Sequence, residues 1–372
     1  MFQERSVVKL LTQPGAGSTD LVEAINGATK SVEIVIFRFD RREIEAALKA
    51  AAARGVFVQA LVTYRNRGGE KSLRKLEMRL LEAGVTVART ADDLVRYHDK
   101  LLLIDRRQVF LLAFNFTSLD IDHSRSFGLV LEKTPLVDEA ARLFEADCMR
   151  QPFTSQNDSL VVSPVNARRL LADFIDGTRE ELVIYDPKIT DPQMLRLLEK
   201  QVSKGVRLRI IGRTGPAGVG LASRKLAMRL HCRAIVRDGR DIFLGSQSLR
   251  AEELDQRREV GVIVSDAATA ETLRSVFDSD WDSAEVREGA EKSNERPPAA
   301  KVAKKAAKAL IKDLPPLSQV IREAVQRVAE APGNSLDSRE VKDTVKEAVK
   351  EAVKEGVKEA VKSAVEDKKE PA

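Results

Sequence analysis

Two cysteines, one tryptophan, three tyrosines and three histidines in 372 residues restrict the available chemistry from the outset. Cys148 and Cys232 lie far apart and form no CxxC pair, which argues against a disulfide framework or a zinc ribbon. No stretch reaches the roughly 20 uninterrupted apolar residues that a membrane-spanning helix needs. The opening MFQERSVVKLL carries acidic and polar residues where a signal peptide has an apolar core. A cytoplasmic, reducing location is therefore expected. Charge of one sign is also missing: 62 basic and 57 acidic side chains nearly cancel to +5, so anion binding has to come from local clusters.

What is present is a 43% apolar composition, enough for a sizeable core, and a repeated pattern. Up to about residue 285, β-branched runs such as SVEIVIF (31–37), VFVQALV (56–62) and RLRIIG (207–212) alternate with helical stretches such as REIEAALKAAAARG. This predicts an α/β fold. Shifting the sequence by 133 superposes His98 on His231, Asp105 on Asp238, Gly128 on Gly261, Phe144 on Phe277 and Asp147 on Asp280. A shift of 150 superposes Ile34 on Ile184, Leu48 on Leu198, Gly55 on Gly205 and Val56 on Val206, the first copy holding 17 more residues before its histidine. Two copies of one α/β unit, 1–150 and 151–285, are expected to pack about a pseudo-twofold axis. A Lys/Ala/Glu/Val-rich linker and helical tail is expected over 286–372.

The two histidine segments, HDKLLLIDRRQVFLLAFNFTS from His98 and HCRAIVRDGRDIFLGSQSLRA from His231, each read as strand, turn, strand. Two-residue turns at 106–107 and 239–240 would give pairs summing to 213 and 479, with His98 facing Asn115 and His231 facing Ser248. Lys100 and Arg233, two residues on, then share those faces. An imidazole, a cation and a neutral hydrogen-bonding group suit a phosphodiester: the cation and amide or hydroxyl hold the non-bridging oxygens, and the imidazole attacks phosphorus or protonates the leaving oxygen. Asp105 and Asp238, at the turns, are expected to be structural, as is the buried thiol of Cys232. His123 has no counterpart and reads as a loop residue.

These segments resemble the phospholipase D superfamily, whose signature is HxK, four residues, Asp, six residues, Gly-Ser and a following Asn. The first copy matches at His98, Lys100, Asp105 and Asn115, with Leu112-Ala113 for Gly-Ser. The second matches at His231, Asp238, Gly245 and Ser246, with Arg233 for Lys and Ser248 for Asn. The resemblance implies two motifs meeting between the halves, a covalent phosphohistidine on His98, His231 as general acid and later activator of water, and no metal or other cofactor. It also implies a carboxylate behind each histidine. Glu259, 28 residues after His231, is the expected one; the first copy has Ser126 there, leaving Asp120 or Asp122 as the replacement for His98. Leu112 and Ala113 are expected to narrow the site, and Arg233 to grip phosphate as a fork.

Arg65, Arg67 and Arg213 lie on loops after strand ends and are expected at the substrate rim. The leading expectation is a phosphodiesterase releasing phospholipid head groups. A nuclease acting on DNA or RNA, a phosphatidyltransferase and a catalytically weak phosphate-binding module are the alternatives. The basic run from Arg296 to Lys312 could touch anionic lipid or nucleic acid, although a solvated helix or linker is the favoured reading. Valines every four residues from Val341 to Val365 wind around a straight helix and disfavour a left-handed coiled coil. Peripheral membrane contact through this tail is one expectation, and a solvated helix is the other. The oligomeric state is left open.

Overall fold

The computed structural model describes residues 7–64, 70–132, 135–215, 218 and 220–286; Met1–Glu291 form one compact unit. The tail, with its basic run and valine repeat, and the rim arginines Arg65 and Arg67 lie outside the described residues.

The first half runs β1 (Val7–Gln13), α1 (Thr19–Gly27), β2 (Ser31–Ile36), α2 (Arg42–Ala53), β3 (Phe57–Val62), α3 (Glu70–Glu82), β4 (Thr86–Arg89), β5 (Arg96–Tyr97), β6 (Leu101–Ile104), β7 (Gln108–Leu112), α4 (Ser118–Asp122), β8 (Ser124–Glu132) and α5 (Pro135–Met149). The second runs β9 (Leu160–Ser163), α6 (Ala167–Asp176), β10 (Glu181–Ile189), α7 (Pro192–Ser203), β11 (Arg207–Thr214), β12 (Ser223–Lys225), β13 (Arg229–Leu230), β14 (Arg233–Arg237), β15 (Asp241–Gly245), α8 (Ala251–Asp255), β16 (Arg257–Ser265), α9 (Ala267–Ser283) and β17 (Glu285–Val286). The extra residues before His98 contain α3, which has no counterpart among the described residues between β11 and β12.

Both sheets have one topology. The first is ordered β1-β8-β7-β6-β2-β3-β4; in the second, β9 pairs with β16 and the order continues β16-β15-β14-β10-β11-β12. The near-continuous apolar strands β2 and β10 sit at the centre because both of their faces are covered. Ile34, Val58 and Phe110 bury one face of the first sheet with Leu21, Ile44 and Leu76 of α1–α3, while Ile184, Ile210 and Phe243 do the same with α6 and α7. The other faces of both sheets share a central core with Phe144 of α5 and Phe277 of α9. Helix starts are locally encoded: Asp191 accepts hydrogen bonds from the Gln193 and Met194 amides, ahead of Pro192 in the first turn of α7.

The halves exchange strands and ion pairs reciprocally. The β5 strand adds parallel to β16 of the second sheet, and β13 adds parallel to β8 of the first. The His98 amide donates to the Arg258 carbonyl at 2.8 Å, and the His231 amide to the Arg125 carbonyl at 3.0 Å. Arg125 pairs with Asp280 at 2.6 Å, and Arg258 with Asp147 at 3.0 Å. This is a duplicated α/β unit related by a pseudo-twofold relationship.

The expected hairpin register is off by one. Ile104 pairs with Gln108 and Arg237 with Asp241, so the pairs sum to 212 and 478 around three-residue turns. The cause is the aspartate that opens each turn. Asp105 and Asp238 take left-handed φ values of 53° and 51° and leave the ladder. The Asp105 carboxylate accepts from the amides of Thr29, Lys30 and Ser31, and that of Asp238 from Arg179, Glu180 and Glu181. Each therefore ties its turn to the start of the central strand, which is a structural role.

Candidate active site

Each histidine directly follows an exchanged strand, His98 after β5 and His231 after β13, and the carboxylates behind them come from the opposite halves. Glu259, on β16 of the second half, is fully buried and accepts a hydrogen bond from Nδ1 of His98 at 2.9 Å. It does not serve His231, as the 28-residue spacing had suggested. The parallel pairing of β5 with β16 carries His98 onto the opposite half, so the partner is 161 residues away in sequence. On the other side, Asp120 Oδ2 lies 3.2 Å from Nδ1 of His231, off the line that a hydrogen bond requires. Asp120 is thus the carboxylate of His231 rather than of His98. Ser126, which replaces the second glutamate, donates its hydroxyl to the His231 carbonyl at 3.1 Å. Asp122 is turned away, paired with Arg41.

Asp120 is held firmly. Its Oδ1 takes Arg229 Nη1 at 2.6 Å, and its Oδ2 takes the backbone amide and side-chain amide of Asn115 at 2.9 and 2.6 Å. Asn115 therefore orients this carboxylate, while its own Oδ1 is buried without a partner. Ser248 does the matching job for Arg233, with 3.0 Å between its hydroxyl and the guanidinium Nε. Neither side chain is fixed to its own histidine, because the shifted register moves both along the hairpin.

Lys100 is 1% exposed, donates to the His98 carbonyl and stands 5.6 Å from the Phe37 ring centre. Arg233 is buried, 3.5 Å from Glu253, and its Nη1 has no hydrogen-bond partner. Phe37 presses edge-on against the His98 imidazole with ring centres 4.6 Å apart. A buried guanidinium nitrogen and a buried amide oxygen here have no partner within the protein.

The electrostatics follow from this burial. Loss of hydration lowers His98 well below the usual histidine value, and the Lys100 and Arg233 cations push the same way. His98 is thus neutral near pH 7; with Nδ1–H given to Glu259, its Nε2 lone pair is free. Burial lowers His231 too, with Asp120 opposing. Lys100 is brought down to about 7 by desolvation, against the pull of Glu259. Burial raises Glu259, while Lys100 and Arg233 work to keep it ionised.

Leu112 and Ala113 do not narrow the site. Leu112 packs in the outer core over Gly128, where a Cβ would come within 2.6 Å of the leucine, and Ala113 lies in the central core. In the second half the matching pair is Gly245 against Gly261. Ser246 supports the site indirectly: its hydroxyl accepts from the Val260 amide at 3.1 Å, next to Glu259. Arg213 is exposed at the end of β11 and makes no ion pair among the described residues. His123 is exposed at the end of α4, and Cys232 is buried in the central core. Sequence reasoning missed Glu253, Arg229, Arg257 and Phe37; the shift of 133 that matches Asp120 to Glu253 was the available signal.

A family model described as "Cardiolipin synthase, PLD-like domain" matches residues 21–148, the stretch that holds the complete first motif. Residues 21–148 are a phospholipase D-like domain. Its likeness to a phospholipase D of Rickettsia bellii is 29% identity over 136 residues, 36% of this chain and 65% of the relative. A polyphosphate kinase of Pseudomonas syringae pv. tomato is 25% identical over 254 residues, 61% of this chain. The chain spans about a third of the length of that relative, 33%. Among solved structures, the polyphosphate kinase of Porphyromonas gingivalis superposes with a TM-score of 0.63 at 18% identity, covering 79% of this chain and 51% of that one. The phosphatidylserine synthase of Haemophilus influenzae gives 0.61 at 13% identity, covering 82% and 93%. These superpositions establish that the duplicated phospholipase D fold is shared. Among the described residues, no helix is long and apolar enough to cross a membrane.

Proposed function

We propose that this protein cleaves a phosphodiester through a covalent phosphohistidine on His98, with a phospholipid head group as the substrate class. The observation that carries the reading is the buried His98–Glu259 pair, formed across the two halves beside Lys100 and Arg233. In the first step His98 Nε2 attacks phosphorus, the bond from phosphorus to the head-group oxygen breaks, and that oxygen takes a proton from His231. Glu259 stabilises the positive charge that develops on the His98 ring. Lys100 and the open Nη1 of Arg233 hold the non-bridging oxygens. In the second step His231 removes a proton from water, water displaces His98, and the phosphate monoester leaves. His231 is neutral in the empty site, and a bound phosphate anion favours its protonated form, so substrate helps to arm the acid.

Transfer to an alcohol is a second reading, favoured by the match of residues 21–148 to the cardiolipin synthase family model. The first step is the same, and an alcohol replaces water in the second.

The test is hydrolysis of bis-p-nitrophenyl phosphate, and of phosphatidylcholine vesicles with and without added glycerol, in EDTA, with acid-quenched samples assayed for phosphohistidine. Loss of turnover in His98→Ala and His231→Ala, with a phosphoenzyme that disappears only in the former, supports the reading. A second lipid product with glycerol favours transfer. No phosphoenzyme and no turnover on either substrate would overturn both readings in favour of a binding module.

A further inference from the structure

The pseudo-twofold relationship makes a broken match visible at the mouth of the site. In the first half, Asp120 neutralises Arg229, and Ser124 adds a hydroxyl to the same guanidinium at 2.7 Å. The shift of 133 maps Arg229 back to Arg96, Asp120 to Glu253 and Ser124 to Arg257. Arg96 should therefore pair with Glu253, but it does not. Arg257, standing where the first half has a serine, takes Glu253 at 3.3 Å, and Arg250 takes it at 3.0 Å. Arg96 is left half-buried with no carboxylate partner among the described residues.

Arg38 is in the same condition. It is exposed, has no ion pair among the described residues, and shares an aromatic ring with Arg96: the guanidinium carbons lie 5.7 and 5.4 Å from the centre of Phe37. That ring also touches His98, so both guanidiniums fall within about 10 Å of the imidazole centre, the reach of a phosphate one or two units beyond the reacting phosphorus. Burial and the neighbouring Arg257 and Arg38 cations disfavour the Arg96 charge more than Glu259 and Glu252 favour it, and an anion bound beside Arg96 relieves that cost.

We infer that Arg38 and Arg96, set on Phe37, form a second anion subsite that selects, within the proposed phospholipid class, substrates carrying a further phosphate next to the scissile one. The subsite deepens the phosphohistidine reading and rests on it only for the position of the scissile phosphorus.

The test compares the dissociation constants of orthophosphate and pyrophosphate by calorimetry in EDTA. Wild type is expected to bind pyrophosphate at least about tenfold more tightly than orthophosphate. In Arg38→Ala/Arg96→Ala the ratio should fall towards one, and Arg38→Ala alone, which alters an exposed side chain, should reduce it partly. A ratio below about threefold in wild type, or the same ratio in both variants, would overturn the subsite. The measurement needs no turnover. A preference lost in the variants with no phosphoenzyme on any substrate would sink the catalytic reading alone, and turnover with an unchanged ratio would sink the subsite alone.

Discussion

Glu259→Gln removes one charge from the interior without changing the shape of the side chain, and its effect can be worked out from the site. The glutamate is fully buried, 2.9 Å from His98 Nδ1 and 3.8 Å from Arg257. When His98 attacks phosphorus its ring becomes cationic, and the carboxylate faces that charge across the 2.9 Å contact, with roughly 4 Å taken as the separation of the charges. With an effective dielectric of about 20 this attraction is about 4 kcal/mol, so its loss slows formation of the phosphoenzyme by about 10³-fold. The neutral amide can still accept the Nδ1–H bond, so KM should change little and the loss should fall on kcat. The assay is rapid acid quench of phosphohistidine alongside steady-state turnover of bis-p-nitrophenyl phosphate. A phosphoenzyme forming within about tenfold of the wild-type rate would show that Glu259 does not stabilise the attacking ring, and the crossed-carboxylate mechanism would be wrong.

Lys100→Met should abolish turnover while stabilising the protein. The lysine falls from 10.5 unfolded to about 7 folded, so below pH 7 its buried charge costs on the order of 5 kcal/mol, and the unfolded chain binds the extra proton between pH 7 and 10.5. Wild-type stability from this group therefore rises with pH across that window. The advantage of Lys100→Met in denaturant titrations should be largest below pH 7 and vanish near pH 10.5; a constant advantage would contradict it. Wild-type activity should decline as pH rises through about 7, as Lys100 loses its proton. Asp120→Asn should impair the His231 step, lowering turnover about 10- to 100-fold while leaving phosphoenzyme formation from the activated p-nitrophenyl ester nearly intact. Gly245→Ala should destabilise by about 1–3 kcal/mol in thermal melts, because its Cβ would come within 2.6 Å of the Gly261 Cα and strike Gln247. An unshifted melting temperature would refute that packing.

Much of this was legible in the residues. The offsets of 133 and 150 carry the duplication and place the histidine motifs on hairpins, and hydrophobic runs such as SVEIVI mark the central strands. The turn register was not legible. DRR and DGR read as tails of two-residue turns until Asp105 and Asp238 are seen capping amides more than 55 residues away. The carboxylate crossing was hidden for a related reason. Spacing along one copy assigns Glu259 to His231, whereas pairing of β5 with β16 delivers it to His98. Leu112 looked like an intrusion into the site because its counterpart Gly245 belongs to the motif; only the opposing Gly128 shows that the bulk is absorbed in the core.

The reciprocal strand exchange has an evolutionary consequence. If two identical chains met through such crossed strands, every substitution near the joint would occur twice, and a gain on one side of the reacting phosphorus would be a loss on the other. Joined in one polypeptide, the two sides can drift independently. Ser126 opposite Glu259, Arg233 opposite Lys100 and Arg257 opposite Ser124 are such one-sided changes. In the proposed mechanism covalent fusion frees one imidazole to be a dedicated nucleophile and the other a proton carrier, a division of labour that strict twofold symmetry forbids.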